Sequence, residues 1–343
     1  MDKWIPPNRI SDRMVSGITT GTRMDARSAF VTPEERLRIC DKLGVDASRV
    51  LLTIDEVRAW RARARTAGRT VGFVPTMGAL HDGHLNLMRQ AQKESDLAIS
   101  SIFVNPAQFA PHEDFGKYPR TAEGDIELML TNGVDCVFVP SQAEMYPGSE
   151  FGQTSAAVTT THVVPDGLDA VSEGAARPGF FRGVCTVVCK LLNIVQPSAL
   201  FLGQKDGLQV IAVRRMVRDL NMPTAVRAVP TSRAVDGLAL SSRNAYLSAD
   251  QRAAAPVLYR ALRAARGAYD RGERSYASLR SAAQQVLDSE PLFSTEYLSI
   301  SDCLNGNELS DENPLRESNI MISAAVNFGN CRILDNVLLG EQV

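Results

Sequence analysis

Between residues 70 and 230 the chain carries five short apolar runs, TVGFVP, DLAISSIFVNP, DCVFVP, ALFLG and TAVRAVP, each separated from the next by a stretch of helical periodicity. A half-exposed strand alternates polar and apolar residues, whereas a strand buried on both faces reads as a continuous apolar run. These runs therefore need cover on both sides, and the helices between them supply it. That combination predicts βαβ units around a parallel sheet. Pro75 and Pro106 mark points where the chain is expected to leave the sheet. Ahead of the first run, Thr53 and Glu56 in LTIDEVRAWRARARTAG are spaced as a capping box, and Gly68 follows the last turn. Further helices are expected over 83–94 and 123–132, and in GVCTVVCKLLNIVQ and LQVIAVRRMVRDLN.

After residue 231 the pattern changes. Ser248 and Gln251 form a second capping box that opens a long Ala- and Arg-rich helix, and a further helix and three strand-like runs, EYLSISD, NIMISAAV and CRILDNVLL, complete the chain. The expected division is an α/β domain over residues 50–230 and a smaller C-terminal α+β domain over 231–343, sizes ordinary for domains. Residues 1–49 lack periodicity and are read as a flexible N-terminal extension with one short helix beginning near Thr32. The stretch lacks a secretory core, and Asp2, Asp12 and Asp25 argue against a transit peptide, so a cytoplasmic protein is expected. SEGAARPGFF, rich in Gly and Pro, is expected to be a mobile loop.

The formal net charge of -2 gives no general reason to bind nucleic acid. No apolar run is long enough to cross a bilayer. The six cysteines include no CxxC pair, which argues against a structural zinc site or a disulfide scaffold.

In open parallel sheets ligands bind beyond the carboxyl ends of the strands. After TVGFVP come Thr76, Met77, Gly78, His81, Asp82, Gly83 and His84; after DLAISSIFV come Asn105 and Gln108; after ALFL come Gly203, Gln204, Lys205 and Asp206; after TAVRAV come Thr231, Ser232, Ser241, Ser242 and Arg243. Imidazoles, cations, hydroxyls and a helix N-terminus suit a polyphosphate. No GxxxxGK[ST] motif is present, and no GxGxxG opens the first strand. Each residue has an ordinary alternative: the histidine pair could cap a helix or form half of a metal site, Lys205 could be a solvated charge, and Asn105 a turn residue. Their joint placement after successive strands is what points to a shared crevice.

PTMGALHDGHLNL, SIFVNPAQF, YPRT, FLGQKD, GLALSSRN and RILDN together resemble the pantoate–β-alanine ligase (pantothenate synthetase) family, within the HxGH nucleotidylyltransferase superfamily. The resemblance runs from about Val50 to Leu339. It implies a Rossmann-like domain with a C-terminal lid, a homodimer, and condensation of D-pantoate with β-alanine at the expense of ATP and with Mg²⁺. AMP and pyrophosphate would be released by way of a pantoyl-adenylate. It further implies an ATP-binding set comprising Met77, Gly78, Ala79, Leu80, His81, Asp82, Gly83, His84, Gly203, Gln204, Lys205, Asp206, Ser232, Leu240, Ser241, Ser242 and Arg243. Among these, His84, His81, Lys205 and Arg243 would be catalytic, with His84 at the position of a proton donor. Gln108, Gln209 and Asn105 would bind pantoate and β-alanine, and Tyr118 and Arg177 would approach from neighbouring loops. The protein ligands of Mg²⁺ are left open. Two departures stand out: Phe180 where the family often has His, and Gly207 and Leu208 where it often has an aromatic residue and Gln. Another HxGH nucleotidylyltransferase, or an ATP-binding homologue with weakened catalysis, is the alternative reading.

Overall fold

The structure, a computed structural model, describes residues 31–111, 113–149, 153–154, 158–311, 319–329 and 331–340. The first part contains α1 (Pro33–Leu43), β1 (Val50–Leu51), α2 (Ile54–Thr66), β2 (Val71–Thr76), α3 (Asp82–Glu94), β3 (Leu97–Ile102), α4 (Ala122–Thr131) and β4 (Cys136–Phe138). The short α5 (Gln142–Met145) and α6 (Ser172–Ala176) precede α7 (Phe180–Val195), β5 (Ala199–Gly203), α8 (Gly207–Asp219) and β6 (Ala225–Val229). The strands form one six-stranded parallel sheet in the order β1-β4-β3-β2-β5-β6, the expected Rossmann-like architecture. From β2 the chain winds outward through β3 and β4, then returns to the other side for β5 and β6. That reversal leaves a crevice between the ends of β2 and β5.

Two details differ from the sequence reading. Pro75 lies inside β2 rather than ending it. Thr76 turns its carbonyl to Phe103 beyond β3, so Pro75 faces the β5 side, where pairing ends at Phe73 and a missing N–H costs no ladder bond. β1, too short for a sequence signal, adds a sixth strand beside β4.

Of the stretch expected as a flexible extension, residues 1–30 lie outside those described. From residue 31 onward it is packed. α1 opens on the Thr32–Glu35 capping box and buries Ile39 and Cys40.

The C-terminal part consists of α9 (Ala249–Ala254), α10 (Val257–Asp270), α11 (Tyr276–Leu287), β7 (Ser294–Asp302), β8 (Ile320–Phe328) and β9 (Cys331–Leu339). The expected long helix does start at the Ser248–Gln251 box, but it breaks at Pro256 into α9 and α10. β7, β8 and β9 form an antiparallel sheet. In β8, Ile320, Ile322, Ala324, Val326 and Phe328 pack with Leu258, Ala261 and Leu262 of α10 and Leu279 of α11. The side-chain period of two sends Met321 the opposite way, into the apolar core beside the parallel sheet. The small sheet thus has one face on its own helices and the other turned to the crevice.

Candidate active site

Between the two sheets, at the ends of β2 and β5, lies a cavity of about 250 Å³. His81, Gly83 and His84 line it from the start of α3, and Met77 from the preceding loop. Asn105 and Gln108 come from the segment after β3; Gly203, Lys205, Asp206 and Gln209 from β5 and α8; Ser232, Leu240, Ser241, Ser242 and Arg243 from beyond β6. Residues remote in sequence therefore do converge. Gly78, Ala79, Leu80, Asp82 and Gln204 are not among the lining residues; Gly78 instead borders a second cavity behind the loop.

The histidine pair is a reciprocal cap. His81 precedes α3, and its Nδ1 accepts the Gly83 N–H at 3.1 Å, while the His84 Nδ1 accepts the His81 N–H at 3.3 Å. With both Nδ1 lone pairs used, the neutral tautomer of each ring carries its proton on Nε2. The rings lie 4.1 Å apart, and a Cβ on Gly83 would come within 2.9 Å of His81 Nδ1. Burial, then the Lys205 charge, pulls His81 down to about 4; burial, then the His81 ring and Lys205, pulls His84 down to about 3. Both are neutral near pH 7, and each can donate one N–H. Among the described residues no group of three His, Cys, Asp or Glu could hold a metal, so the pair has no third ligand.

Asn105 is taken up by protein partners. Its Oδ1 accepts Tyr146 OH at 2.8 Å and the Ala107 N–H at 3.3 Å, and its Nδ2 donates to Gln108 Oε1 at 2.9 Å and Gly183 O at 3.2 Å. The turn-residue alternative describes its geometry, and what it does is fix Gln108. Arg243 faces Asp114 at 3.4 Å, and Ser242 Oγ is 3.3 Å from Tyr118 OH, so the segment beyond β6 meets the segment beyond β3 at the site itself. Lys205 Nζ is 3.5 Å from Asp206.

The two departures have packing explanations. A Cβ on Gly207 would lie 2.3 Å from Met321 Sδ, so methionine from the small sheet fills the space a larger residue would need. Phe180 lies under the Arg177 guanidinium at 3.8 Å and meets Phe181 edge to face.

Three polar residues escaped the sequence reading. Buried Asp125 of α4 accepts the Ala79 and Leu80 N–H groups, each at 2.9 Å. Asn336 of β9 donates to Gln204 O at 2.7 Å and Lys205 O at 2.8 Å, clamping the segment after β5. Glu173, inside the stretch expected to be a mobile loop, is a buried carboxylate on α6. It accepts from Arg332 at 2.7 and 3.0 Å and from Tyr297 OH at 3.2 Å, and lies 3.5 Å from Arg177. Only Asn336 had a signal, in the RILDN motif.

Known proteins share this architecture and much of its sequence. The profile of the Pantoate-beta-alanine ligase family matches residues 49–338. A pantothenate synthetase of Chloroflexus aggregans is 51% identical over 290 residues, which cover 84% of this chain and 99% of that protein. The crystal structure of pantothenate synthetase from Thermus thermophilus superposes with a TM-score of 0.77 at 42% identity, covering 85% of this chain and 100% of that one. Pantoate-beta-alanine ligase from Francisella tularensis, solved in complex with beta-gamma ATP and beta-alanine, superposes with a TM-score of 0.66 at 31% identity over 84% of this chain and 97% of that one.

Proposed function

The chain belongs to the pantoate-beta-alanine ligase family and is an ATP-dependent pantoate–β-alanine ligase, and we propose that it works through a pantoyl-adenylate formed in the cavity between the two sheets. The observation that carries this reading is the convergence there of His81, His84, Lys205 and Arg243 with Gln108 and Gln209. Residues 50–230 would form the substrate-binding domain and 231–343 its lid.

In the first step a carboxylate oxygen of pantoate attacks the α-phosphorus of ATP, the bond to the bridging oxygen breaks, and pyrophosphate leaves. The nucleophile is already ionised, so no base is required. The obstacles are repulsion between two anions and their alignment. Lys205 and Arg243 supply fixed positive charge. The Nε2–H groups of His81 and His84 donate to phosphate oxygens from rings already oriented by their Nδ1 bonds, so they act as hydrogen-bond donors rather than imidazolium acids. Gln108, held by Asn105, and Gln209 bind pantoate through neutral amides that leave the local charge unchanged. In the second step the neutral amine of β-alanine attacks the acyl carbon, AMP leaves with the bonding electron pair, and the nitrogen gives up a proton as the amide forms. Enclosure by the small sheet shields the mixed anhydride from water.

Mg²⁺ fits as a companion of the nucleotide. With no three-residue ligand set among the described residues, it would be held by substrate phosphates, water and at most the cavity-lining Asp206. When bound it neutralises phosphate charge. The reading also includes a cytoplasmic homodimer. No described helix is long and apolar enough to cross a membrane, and sedimentation should give twice the 37.3 kDa of one chain.

The test is a quenched-flow experiment with ATP, Mg²⁺ and pantoate carrying ¹⁸O in its carboxylate. Without β-alanine, pyrophosphate should appear in a burst matching the enzyme concentration. After β-alanine is added, AMP should carry one ¹⁸O; unlabelled AMP would exclude the adenylate. His84→Ala should suppress the burst.

A further inference from the structure

We propose that α1 is a brace for the ATP-binding loop, acting from behind the active site through α4 and Asp125; the proposal rests on the reading of residues 77–84 as that loop. α1 lies ahead of the family match, which begins at residue 49, and the Chloroflexus aggregans relative is covered almost end to end by 84% of this chain. The segment shared with the family does not include this helix, yet here it is firmly docked. Ile39 and Cys40 are 2% and 1% exposed and belong to the same core as Met88 of α3 and Ile126 and Met129 of α4. Arg38 pairs with Glu123 at 2.7 Å and Lys42 with Glu127 at 2.8 Å, both on α4. Those pairs are exposed and worth little, so the buried residues do the anchoring.

α4 is the element that holds the loop. Asp125 accepts from Ala79 and Leu80 and takes a third bond from Thr121 Oγ1 at 2.9 Å. The backbone it restrains is unusual, because Gly78 has φ +83° and Ala79, which has a side chain, φ +50°. Apolar packing backs that conformation only at Ile102, whose Cγ2 a Cβ on Gly78 would meet at 3.2 Å. A cavity of about 200 Å³ lies behind the loop, with Met77, Gly78 and Asp125 along its lining, Glu35, Arg38 and Ile39 contributing the α1 wall, and Val31 just ahead of that helix. Beside the Gly78 N–H bond to Thr76 Oγ1 at 3.2 Å, the loop therefore depends on the carboxylate bonds, which are strong only while solvent is kept away from them. α1 keeps it away. Releasing α1 would let water compete for Asp125 and relax the turn that aims His81 and His84 at the cavity.

Coupling between two sites is reciprocal, so if docked α1 favours ATP, bound ATP must favour docked α1. The full-length wild-type protein reports this through its own thiols. Cys40 is exposed to reagent when α1 undocks, whereas Cys136, wholly buried in β4, requires the sheet to open. Iodoacetamide labelling followed by peptide mass spectrometry should show the Cys40-to-Cys136 rate ratio falling about fivefold at saturating ATP. In Asp125→Asn that ATP effect should disappear. Ile39→Asp, which undocks α1, should raise the KM for ATP about fivefold while the KM for β-alanine stays unchanged.

A rate ratio indifferent to ATP, or an unchanged ATP KM in a folded Ile39→Asp protein, overturns the brace. Should Ile39→Asp fail to fold by circular dichroism, the wild-type labelling ratio decides alone. His81→Ala separates this claim from the reading beneath it. If that variant raises the ATP KM while the labelling ratio ignores ATP, only the brace fails; if it leaves the ATP KM unchanged, the loop assignment fails with it.

Discussion

Asn336 offers the sharpest test of how the small sheet serves the site. Its Nδ2 donates both hydrogens, to Gln204 O at 2.7 Å and Lys205 O at 2.8 Å, and the residue is 1% exposed. Asn336→Ala removes both bonds, along with the longer one that its Oδ1 accepts from Gln204 Nε2 at 3.3 Å, and leaves two carbonyls poorly solvated. At about 1 kcal/mol net per neutral hydrogen bond the two short bonds account for a loss of about 2 kcal/mol. For a chain of this size that corresponds to a melting temperature lower by about 3 °C. If the whole loss fell on the placement of Lys205, kcat/KM for ATP would drop up to about 30-fold. Asn336→Asp has nearly the same shape but sets a carboxylate against two carbonyls, so it should be worse than alanine on both measures. Calorimetry and steady-state kinetics on the two variants decide it. An Asn336→Ala enzyme with wild-type ATP kinetics and unchanged melting, or an aspartate variant milder than the alanine one, would refute the clamp.

Other consequences follow from the same geometry. Because the folded His81 and His84 titrate at about 4 and 3 against an ordinary 6.5, the unfolded chain binds more protons below pH 6.5. Their effect on stability is therefore flat above 6.5 and unfavourable as pH falls below it, by at most about 1.4 kcal/mol per pH unit for each histidine. Urea midpoints from pH 7.5 to 5 should show this, with a shallower fall in His84→Gln. Gly207→Ala, whose Cβ would press on Met321 Sδ at 2.3 Å, should cost about 1–3 kcal/mol and be partly rescued by Met321→Ala; a neutral single variant would contradict the packing account. Glu173→Ala leaves Arg332 with Glu296 and Arg177 with Glu113 as their remaining carboxylates and should cost about 1–3 kcal/mol, read as an earlier unfolding transition.

The parallel sheet was legible because double-sided burial forces continuous apolar runs, and the strand-end rule then drew the polar residues to one crevice. Capping boxes at Thr53 and Ser248 gave helix starts correctly, since that signal is local. What was not legible depends on distant partners. Asp125 looks like any helix-surface acid until α4 packs behind the loop. Glu173 sits in a Gly- and Pro-rich stretch whose order comes from Arg332 and Tyr297, far along the chain. Gly207 read as a loss because Met321 compensates it from the small sheet, far along the chain. α1 carried its Thr32 capping signal, but a short amphipathic helix says nothing in sequence about what it docks against.

The central claim is that one cavity holds both reactants of the first step. A crystal structure of the enzyme with a non-hydrolysable ATP analogue, Mg²⁺ and pantoate tests it directly. The triphosphate should lie within hydrogen-bond reach of the Nε2 atoms of His81 and His84, Lys205 and Arg243, with pantoate on Gln108 and Gln209 and its carboxylate in line with the α-phosphorus. Ligands seated on separate surfaces, or pantoate away from the two glutamines, would contradict the account.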